Sequence, residues 1–274
     1  MEHQEIVAAM RCALRAGEVM LESSVAVSEV AETLRRITRA LGLADCEVSV
    51  TLDTITLCWI GSGTATPITV VRRVESAEPH LDRLAAVDTL SRRIEAGEVG
   101  VLRADAELAA IAQRPPSYPG WVVLAGALLT VAGWCIFAGG GPLAALAGAL
   151  SALAVTGLQR GVRGVRVPVV FVTAASAVLA VAVPYGFVWA GVDLAAQAAV
   201  AGALYPLLPG GLAVASVMDG LSGAPLSSLA KGLQAVIQAT FVAIGVLVAL
   251  SVADALEIAP AVASERWPLY VSVP

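Results

Sequence analysis

The stretch Leu204-Tyr-Pro-Leu-Leu-Pro-Gly-Gly-Leu-Ala-Val-Ala-Ser-Val-Met-Asp-Gly-Leu-Ser-Gly223 decides how the rest of the chain is interpreted. Two prolines and two glycines break an uncharged run there, and the run resumes as far as Asp219. Proline removes a backbone donor and clashes with the preceding helical turn, and hydrocarbon has no water to satisfy the freed carbonyls. Irregular backbone at membrane depth therefore occurs where it packs against protein or lines a wet cavity. The break predicts a membrane protein with a polar cavity at this point.

The composition of the chain also indicates a membrane protein. Hydrophobic residues make up 58% of the chain, charged residues 14%, and the mean hydropathy is +0.81. These values lie well outside the balance of a soluble protein. Residues 1–119 carry twelve arginines and seventeen acidic residues, whereas residues 120–274 carry four arginines, one lysine and five acidic residues. We therefore expect a soluble N-terminal part and a membrane part, and the acidic N-terminal part disfavours nucleic-acid binding.

Residues 1–116 are predicted to form a cytoplasmic α+β domain. Its apolar residues follow a helical period, then a period of two, then a helical period again. The predicted elements are a helix over 1–22, a helix from Ser28 to Gly42, three short strands between 47 and 74, and helices over 80–96 and 101–113. Because no catalytic or nucleotide-binding motif is found in it, we do not expect an enzyme. Two isolated histidines and four scattered cysteines predict neither a metal site nor a cofactor.

Residues 117–274 are predicted to form a five-helix transmembrane bundle whose fourth helix is broken. A proline-rich hinge at 115–119 precedes it, and forty-five uncharged residues then lie between Arg114 and Arg160, which is enough for two spans. The predicted spans are 121–138, 142–158, 167–191, 194–208 and 232–253.

The basic residues predict the orientation of these spans. With the N-terminal domain in the cytoplasm, alternation places the arginines at 160–166 and Lys231 inside, as the positive-inside rule prefers. The C-terminus, with an aromatic and charged tail at 265–270, is then expected outside. The predicted location is the cytoplasmic membrane of a bacterium.

Polar residues within the membrane part are candidates for a translocation path. Lys231, Gln234 and Gln238 are spaced i, i+3, i+7 on one stripe of the fifth span, and Asp193 and Gln197 are spaced i, i+4 at the start of the fourth. Polar groups at membrane depth tend to face a bundle interior or a cavity. The alternative is that Asp193 and Lys231 mark helix ends among the lipid headgroups.

The broken segment adds further candidates to that path. Backbone amides at a helix start after Gly210 would favour an anionic group such as a carboxylate, and Pro209 and Gly211 belong to the same break. Asp219 and Lys231 are expected either to neutralise one another or to carry a coupling proton. A plain cytoplasmic loop is the alternative.

The order of these features resembles the N-terminal half of the threonine/serine exporter family (ThrE type). The resemblance is carried by the run Leu81-Asp-Arg-Leu-Ala-Ala-Val-Asp-Thr-Leu-Ser-Arg-Arg-Ile-Glu-Ala-Gly97, by the Pro115-Pro-Ser-Tyr-Pro119 hinge, and by Leu208-Pro-Gly-Gly211 with Asp219, Gly220 and Gly223. The chain departs from the family at Ser23-Ser24, where a Gly-Ala pair is usual. It also ends at Pro274, where fused members continue into a second five-span half. Its length resembles the larger subunit of the split, two-protein exporters.

The resemblance implies export of small carboxylate-bearing metabolites, namely threonine and serine or a dicarboxylate such as succinate, driven by the proton gradient. Five spans are few for an alternating-access transporter, so the expected partners are the lipid bilayer, the small-molecule substrate, and a second five-span subunit or further copies of the chain. The first alternative is a membrane-anchored sensor whose soluble domain binds the ligand. An intramembrane hydrolase is disfavoured because no histidine lies beyond His80.

Overall fold

A computed structural model describes residues 3–23, 25–61, 67–74, 81–115, 117–162, 164–165 and 167–258. The helices α1 to α7 are His3–Glu22, Val27–Ala40, Leu81–Glu95, Val101–Ala112, Gly120–Phe137, Pro142–Val162 and Val169–Trp189. After them come α8 (Ala196–Leu204), a 3₁₀ turn (Tyr205–Leu207), α9 (Gly210–Leu221) and α10 (Pro225–Ala255). The strands β1 to β3 are Cys46–Val50, Thr54–Trp59 and Ile68–Arg73. The chain is mostly helical, with one small sheet, and several of its helices are apolar enough for a membrane.

The structure separates into two compact units. The N-terminal unit comprises Met1–Ser117 together with Gly210–Gln234, and the helical unit comprises Tyr118–Pro209 together with the chain from Ala235 onward. The boundary between them therefore falls inside α10. Residues 210–234, which the sequence analysis includes in the predicted transmembrane domain, are grouped with the N-terminal unit. The bounds of the membrane part stay a prediction.

The first part of the N-terminal unit packs α1 to α4 with an antiparallel sheet in the order β1-β2-β3. The register pairs Val48 with Leu57 and Leu57 with Val70, which places the alternating apolar residues of the three strands on one face. Leu57 is fully buried there and joins Met10 and Leu34 of the helices in the core. The predicted period change from helix to strand is thus present at the predicted place. Residues 62–66, within the predicted strand region, lie outside the described residues.

The helical unit is held together by close contacts at small residues. Cys135 of α5 is buried, and its side chain occupies the space where a Cβ at Gly148 of α6 or at Gly202 of α8 would lie. A Cβ added at Gly245 of α10 would likewise collide with the carbonyl oxygen of Ala174 in α7. Glycine permits such approaches because it has no side chain, which is the usual way for apolar helices to pack in lipid.

Four described helices are long and apolar enough to cross a membrane: α5, α6, α7 and α10. A fifth crossing is obtained if α8, the 3₁₀ turn and α9 together count as one broken span. The predicted fifth span begins at Gly232, whereas α10 begins at Pro225, because proline is well tolerated in the first turn of a helix. At 1.5 Å per residue its 31 residues extend about 46 Å, well beyond a hydrocarbon core of about 30 Å.

Candidate functional site

A buried ion pair lies between α9 and the first turns of α10. The Lys231 Nζ is 2.8 Å from the Asp219 Oδ2. Asp219 is fully buried, and Lys231 is 4% exposed. Charged groups pay a large desolvation cost on burial, so such a pair is maintained only when both charges are present and further hydrogen bonds satisfy them. The structure brings together two residues that the sequence suggests as mutually neutralising.

The other contacts of this pair are with the backbone before α2. The second carboxylate oxygen of Asp219, Oδ1, accepts a hydrogen bond from the Val27 N–H at 2.8 Å, across 192 positions of sequence. The Lys231 Nζ donates to the Val25 carbonyl oxygen at 3.4 Å. The N-cap residue of α2 is Ala26, whose methyl group cannot accept a hydrogen bond. Asp219 therefore supplies from α9 the acceptor and the negative charge that a helix N-terminus prefers.

The contact with Asp219 explains why α2 begins one residue before the predicted start. Ser28 is the natural N-cap by residue type, and the sequence predicts the helix from there. The structure starts α2 at Val27, because the cap comes from Asp219 and no local side chain is needed. Val25 and Val27 were thus missed as members of the site. The available signal was an apolar helix start, Val25-Ala-Val27, that lacks a capping side chain of its own.

The α9 helix and the first part of α10 approach each other through serine and glycine. The Ser216 Oγ donates to the Ser228 carbonyl oxygen at 2.8 Å. A Cβ added at Gly232 would lie 3.0 Å from the Ser216 Oγ, and one added at Gly220 would lie 3.0 Å from the Ser228 Oγ. We call α9 with residues 225–234 the α9–α10 hairpin. Its small residues let the two helices come close enough for Asp219 and Lys231 to meet.

A cavity of about 640 Å³ lies in the N-terminal unit between the start of α2, β1 and the turn of the hairpin. Val27 and Met218, next to the ion pair, contribute to its wall. Its polar lining residues are Ser28, Glu29, Glu32, Arg35, Ser49 and Ser222. Since most of these side chains are exposed, the cavity is an open groove beside the buried pair.

The predicted helix break is present between α8 and α9. The 3₁₀ turn is followed by Leu208 in an extended conformation (φ −73°, ψ 133°), then Pro209, and α9 begins at Gly210. The Gln238 Nε2 donates to the Leu207 carbonyl oxygen at 3.2 Å, so a side chain from α10 satisfies a carbonyl at the end of the turn. An added Cβ at Gly210 or Gly211 would meet no described atom within 4 Å, so the start of α9 is open.

The remaining predicted residues have different surroundings. Gln234 is exposed, whereas Lys231 is buried and Gln238 is half-buried, so the predicted stripe on α10 does not share one environment. Asp193 lies in the loop before α8 and Gln197 in its first turn, and both are exposed. Within the described part of the chain, no three histidine, cysteine, aspartate or glutamate side chains are grouped as metal ligands would be.

Comparison with known proteins gives consistent matches. The sequence profile of the family described as "Putative threonine/serine exporter" matches residues 11–253. A "Probable threonine/serine exporter" of Mycobacterium tuberculosis is 30% identical over 238 residues, 86% of this chain and 45% of that protein. A "Threonine/serine exporter" of Corynebacterium glutamicum is 27% identical over 285 residues, 99% of this chain and 57% of that protein.

The chain thus spans about half the length of these curated relatives. No solved structure matches it with significance. The family profile covers both the N-terminal helices and the apolar helices, including the α8–α9 break and the ion pair. The chain belongs to the threonine/serine exporter family.

Proposed function

We propose that this chain is a subunit of a secondary exporter. It moves small carboxylate-bearing metabolites, threonine and serine or a dicarboxylate such as succinate, out across the cytoplasmic membrane, and the proton gradient drives the export. Family membership and the long apolar helices support a transport role. The observation that carries the proposal is the α8–α9 break, because unwound backbone among apolar helices is the usual place for a transporter's substrate.

The proposed translocation path runs past that break. The backbone amides at the start of α9 are suited to a substrate carboxylate, since a helix N-terminus carries partial positive charge. The openness of Gly210 and Gly211 supports this role. The hydrogen bond from Gln238 to the Leu207 carbonyl oxygen shows a polar side chain at the break. The residues we assign to the path or its flanks are Pro209, Gly210, Gly211, Asp219, Lys231, Gln234, Gln238, Gln197 and Asp193.

The proposed orientation places the N-terminal domain in the cytoplasm and the C-terminus outside. The support is the distribution of basic residues: Arg160 near the end of α6 and Lys231 near the start of α10 would both lie on the inner side. The predicted outer tail at 265–270 lies outside the described residues.

We further propose that the active exporter contains a second five-span subunit or further copies of this chain. The curated relatives are about twice as long as the part that this chain matches. The turn of the α9–α10 hairpin carries exposed leucines, Leu221 at 85% and Leu226 at 87%. Such apolar side chains are suited to lipid or to another apolar subunit.

A membrane-anchored sensor is the second candidate function. The observation that favours it is a cavity of about 760 Å³ between α3 and α4, lined by charged groups that include Asp82, Arg93 and Glu107. In that case the full chain would bind a metabolite in its N-terminal unit, and substitution of Gln238 would leave the phenotype unchanged.

The proposal is tested by flux measurements in liposomes. The purified chain is reconstituted alone and with a candidate five-span partner, and the flux of labelled L-threonine, L-serine and succinate is followed with and without an imposed proton gradient. We expect gradient-dependent flux when both subunits are present. Fluxes equal to those of empty liposomes in both arrangements, with all three substrates, would contradict the exporter function.

A matched pair of α10 variants connects the flux with the break. Gln238→Leu removes the hydrogen bond to the Leu207 carbonyl oxygen and should reduce the rate of transport by up to roughly tenfold, the effect of losing about 1.4 kcal/mol. Thr240→Val is the control, because the Thr240 hydroxyl donates to the Val236 carbonyl oxygen of its own helix. Equal transport by the two variants would remove the break from the path.

A further inference from the structure

We propose that Asp219 and Lys231 act in transport as positioning residues, forming a charged latch that holds the α9–α10 hairpin on the first turn of α2. The latch comprises the two side chains and their backbone partners, the Val25 carbonyl and the Val27 N–H. This inference rests on the proposed exporter function, and it specifies how two residues of the assigned path contribute. Asp219 and Lys231 hold the hairpin, which directly follows the Pro209 break in the sequence, against the first turn of α2.

The contacts of the two charges favour positioning over substrate binding. Both carboxylate oxygens of Asp219 are engaged, one by Lys231 and one by the Val27 N–H. Lys231 in turn contacts Asp219 and the Val25 carbonyl oxygen. With Asp219 fully buried and Lys231 nearly so, neither charge presents a surface to a solute in this conformation. We therefore expect the two residues to affect transport by fixing the position of the α9–α10 hairpin against α2.

The latch connects elements that are remote in sequence. Val25 and Val27 flank Ala26, the residue that precedes α2, and Asp219 lies in α9. The N–H groups in the first turn of a helix have no acceptor within the helix, and Asp219 is the acceptor of the Val27 N–H. The Asp219 carboxylate therefore contacts both the first turn of α2 and Lys231 of the hairpin, so loss of this carboxylate should affect both elements.

The energetics of a buried pair favour keeping the two charges together. Removal of one partner strands a buried charge, whereas joint removal of both charges from a buried site is close to neutral. The two charges are therefore expected to remain together or to separate together into water.

Two double variants separate the cap from the charges. Asp219→Asn/Lys231→Met removes both charges but leaves an amide oxygen that accepts from the Val27 N–H. Asp219→Leu/Lys231→Met removes both charges and the acceptor as well. If the first variant does not fold, Asp219→Asn/Lys231→Gln, which retains polar groups at both positions, replaces it.

Hydrogen exchange of the full-length protein reports the latch directly. In the Leu/Met variant, the amides of residues 27–30 should exchange about five- to tenfold faster, the range expected for a lost helix cap. In the Asn/Met variant they should exchange as in the wild type. Amides 104–111 of α4 provide an internal reference. Unchanged exchange at residues 27–30 in the Leu/Met variant would overturn the latch.

Transport of labelled L-threonine distinguishes positioning from direct contact. If the residues position the hairpin, transport follows the cap: the Leu/Met variant loses more of the maximal rate than the Asn/Met variant does, and both variants keep the wild-type KM. A folded, protected Asn/Met variant that does not transport would overturn the inference but leave the exporter function intact. If wild-type protein shows no flux with any partner, the exporter function fails, and hydrogen exchange alone then decides whether the latch exists.

Discussion

The N-terminal unit and the helical unit bury their polar groups in different ways. Among the described residues, the buried charged side chains are Asp219 and Lys231, both in the N-terminal unit. The buried polar side chains of the helical unit are hydroxyls, and two of them, Ser151 and Thr173, donate to carbonyls of their own helices. Contacts between those helices are made by small apolar side chains, with the closest approaches at glycines.

The difference shows that similarly apolar helices can be fixed by charge or by shape. The α9–α10 hairpin is placed by a few directional contacts, which are lost together when one group is removed. The helices around Cys135 are placed by close packing, which depends on volume and tolerates changes of charge elsewhere. Substitutions that remove a charge should therefore destabilise the α9–α10 hairpin, whereas substitutions that add volume should destabilise the helical unit.

The largest effect is expected from breaking the ion pair on one side. Lys231→Met leaves Asp219 buried without its counter-ion and should reduce the free energy of unfolding by about 3–5 kcal/mol. The measurement is denaturant or thermal unfolding of the purified protein in detergent. Arg92→Met is the control, because the Arg92–Asp88 pair is exposed and should contribute less than about 1 kcal/mol. Equal stability of the two variants would show that charge does not fix the hairpin.

A smaller effect is expected from adding volume in the helical unit. The Cβ of Gly202→Ala would meet Cys135, with the Val131 carbonyl oxygen at 2.8 Å, and backbone atoms cannot move aside cheaply. The expected loss is about 1–3 kcal/mol. Gly157→Ala in α6 is the control, since no described atom lies within 4 Å of its added Cβ, and it should be neutral or slightly stabilising. A neutral Gly202→Ala would contradict packing by close approach.

The smallest effect is expected at the exposed charge network of the N-terminal unit. Hydrogen bonds from Arg103 and Arg93, both 2.9 Å long, hold the pKa of Glu107 below its usual range. A lowered pKa in the folded state means that Glu107 stabilises the fold above its unfolded pKa and loses this effect as the pH falls. Glu107→Gln should therefore lower the melting temperature slightly near neutral pH. The difference from wild type should vanish in acid, and a difference that grows in acid would contradict the assignment.

The helices and strands could be predicted from local patterns because burial imposes a period on the sequence. The strand region between 47 and 74, the helix bounds of α3 and α4, and the apolar runs of α5 to α7 all follow from that period. The break at Pro209 could also be predicted, since proline and glycine act locally. The predicted fifth span begins at Gly232, and α10, the helix that contains it, begins seven residues earlier at Pro225, because proline is tolerated in the first turn of a helix.

The candidate site was predictable only in part. Residue type indicated Asp219 and Lys231, since charges are rare in apolar segments and need partners. The local sequence signal for Val25 and Val27 is weak, because they contribute backbone atoms, which every residue possesses, and the available cue is a helix start that lacks a capping side chain of its own. Gln234 and Gln238 share a stripe by spacing but differ in burial, because a helix face is covered only where another element reaches it.

The sequence by itself determined the apolar character of the later helices, the sheet, the helix break and the presence of two opposite charges near it. Each of these follows from the preference of a residue type for water, hydrocarbon or a backbone conformation, and such preferences act over a few positions. Only the tertiary structure decided that residues 210–234 belong with the N-terminal unit and that Asp219 caps α2. That outcome depends on which backbone groups lack local partners, and the partner they find can lie 192 positions away.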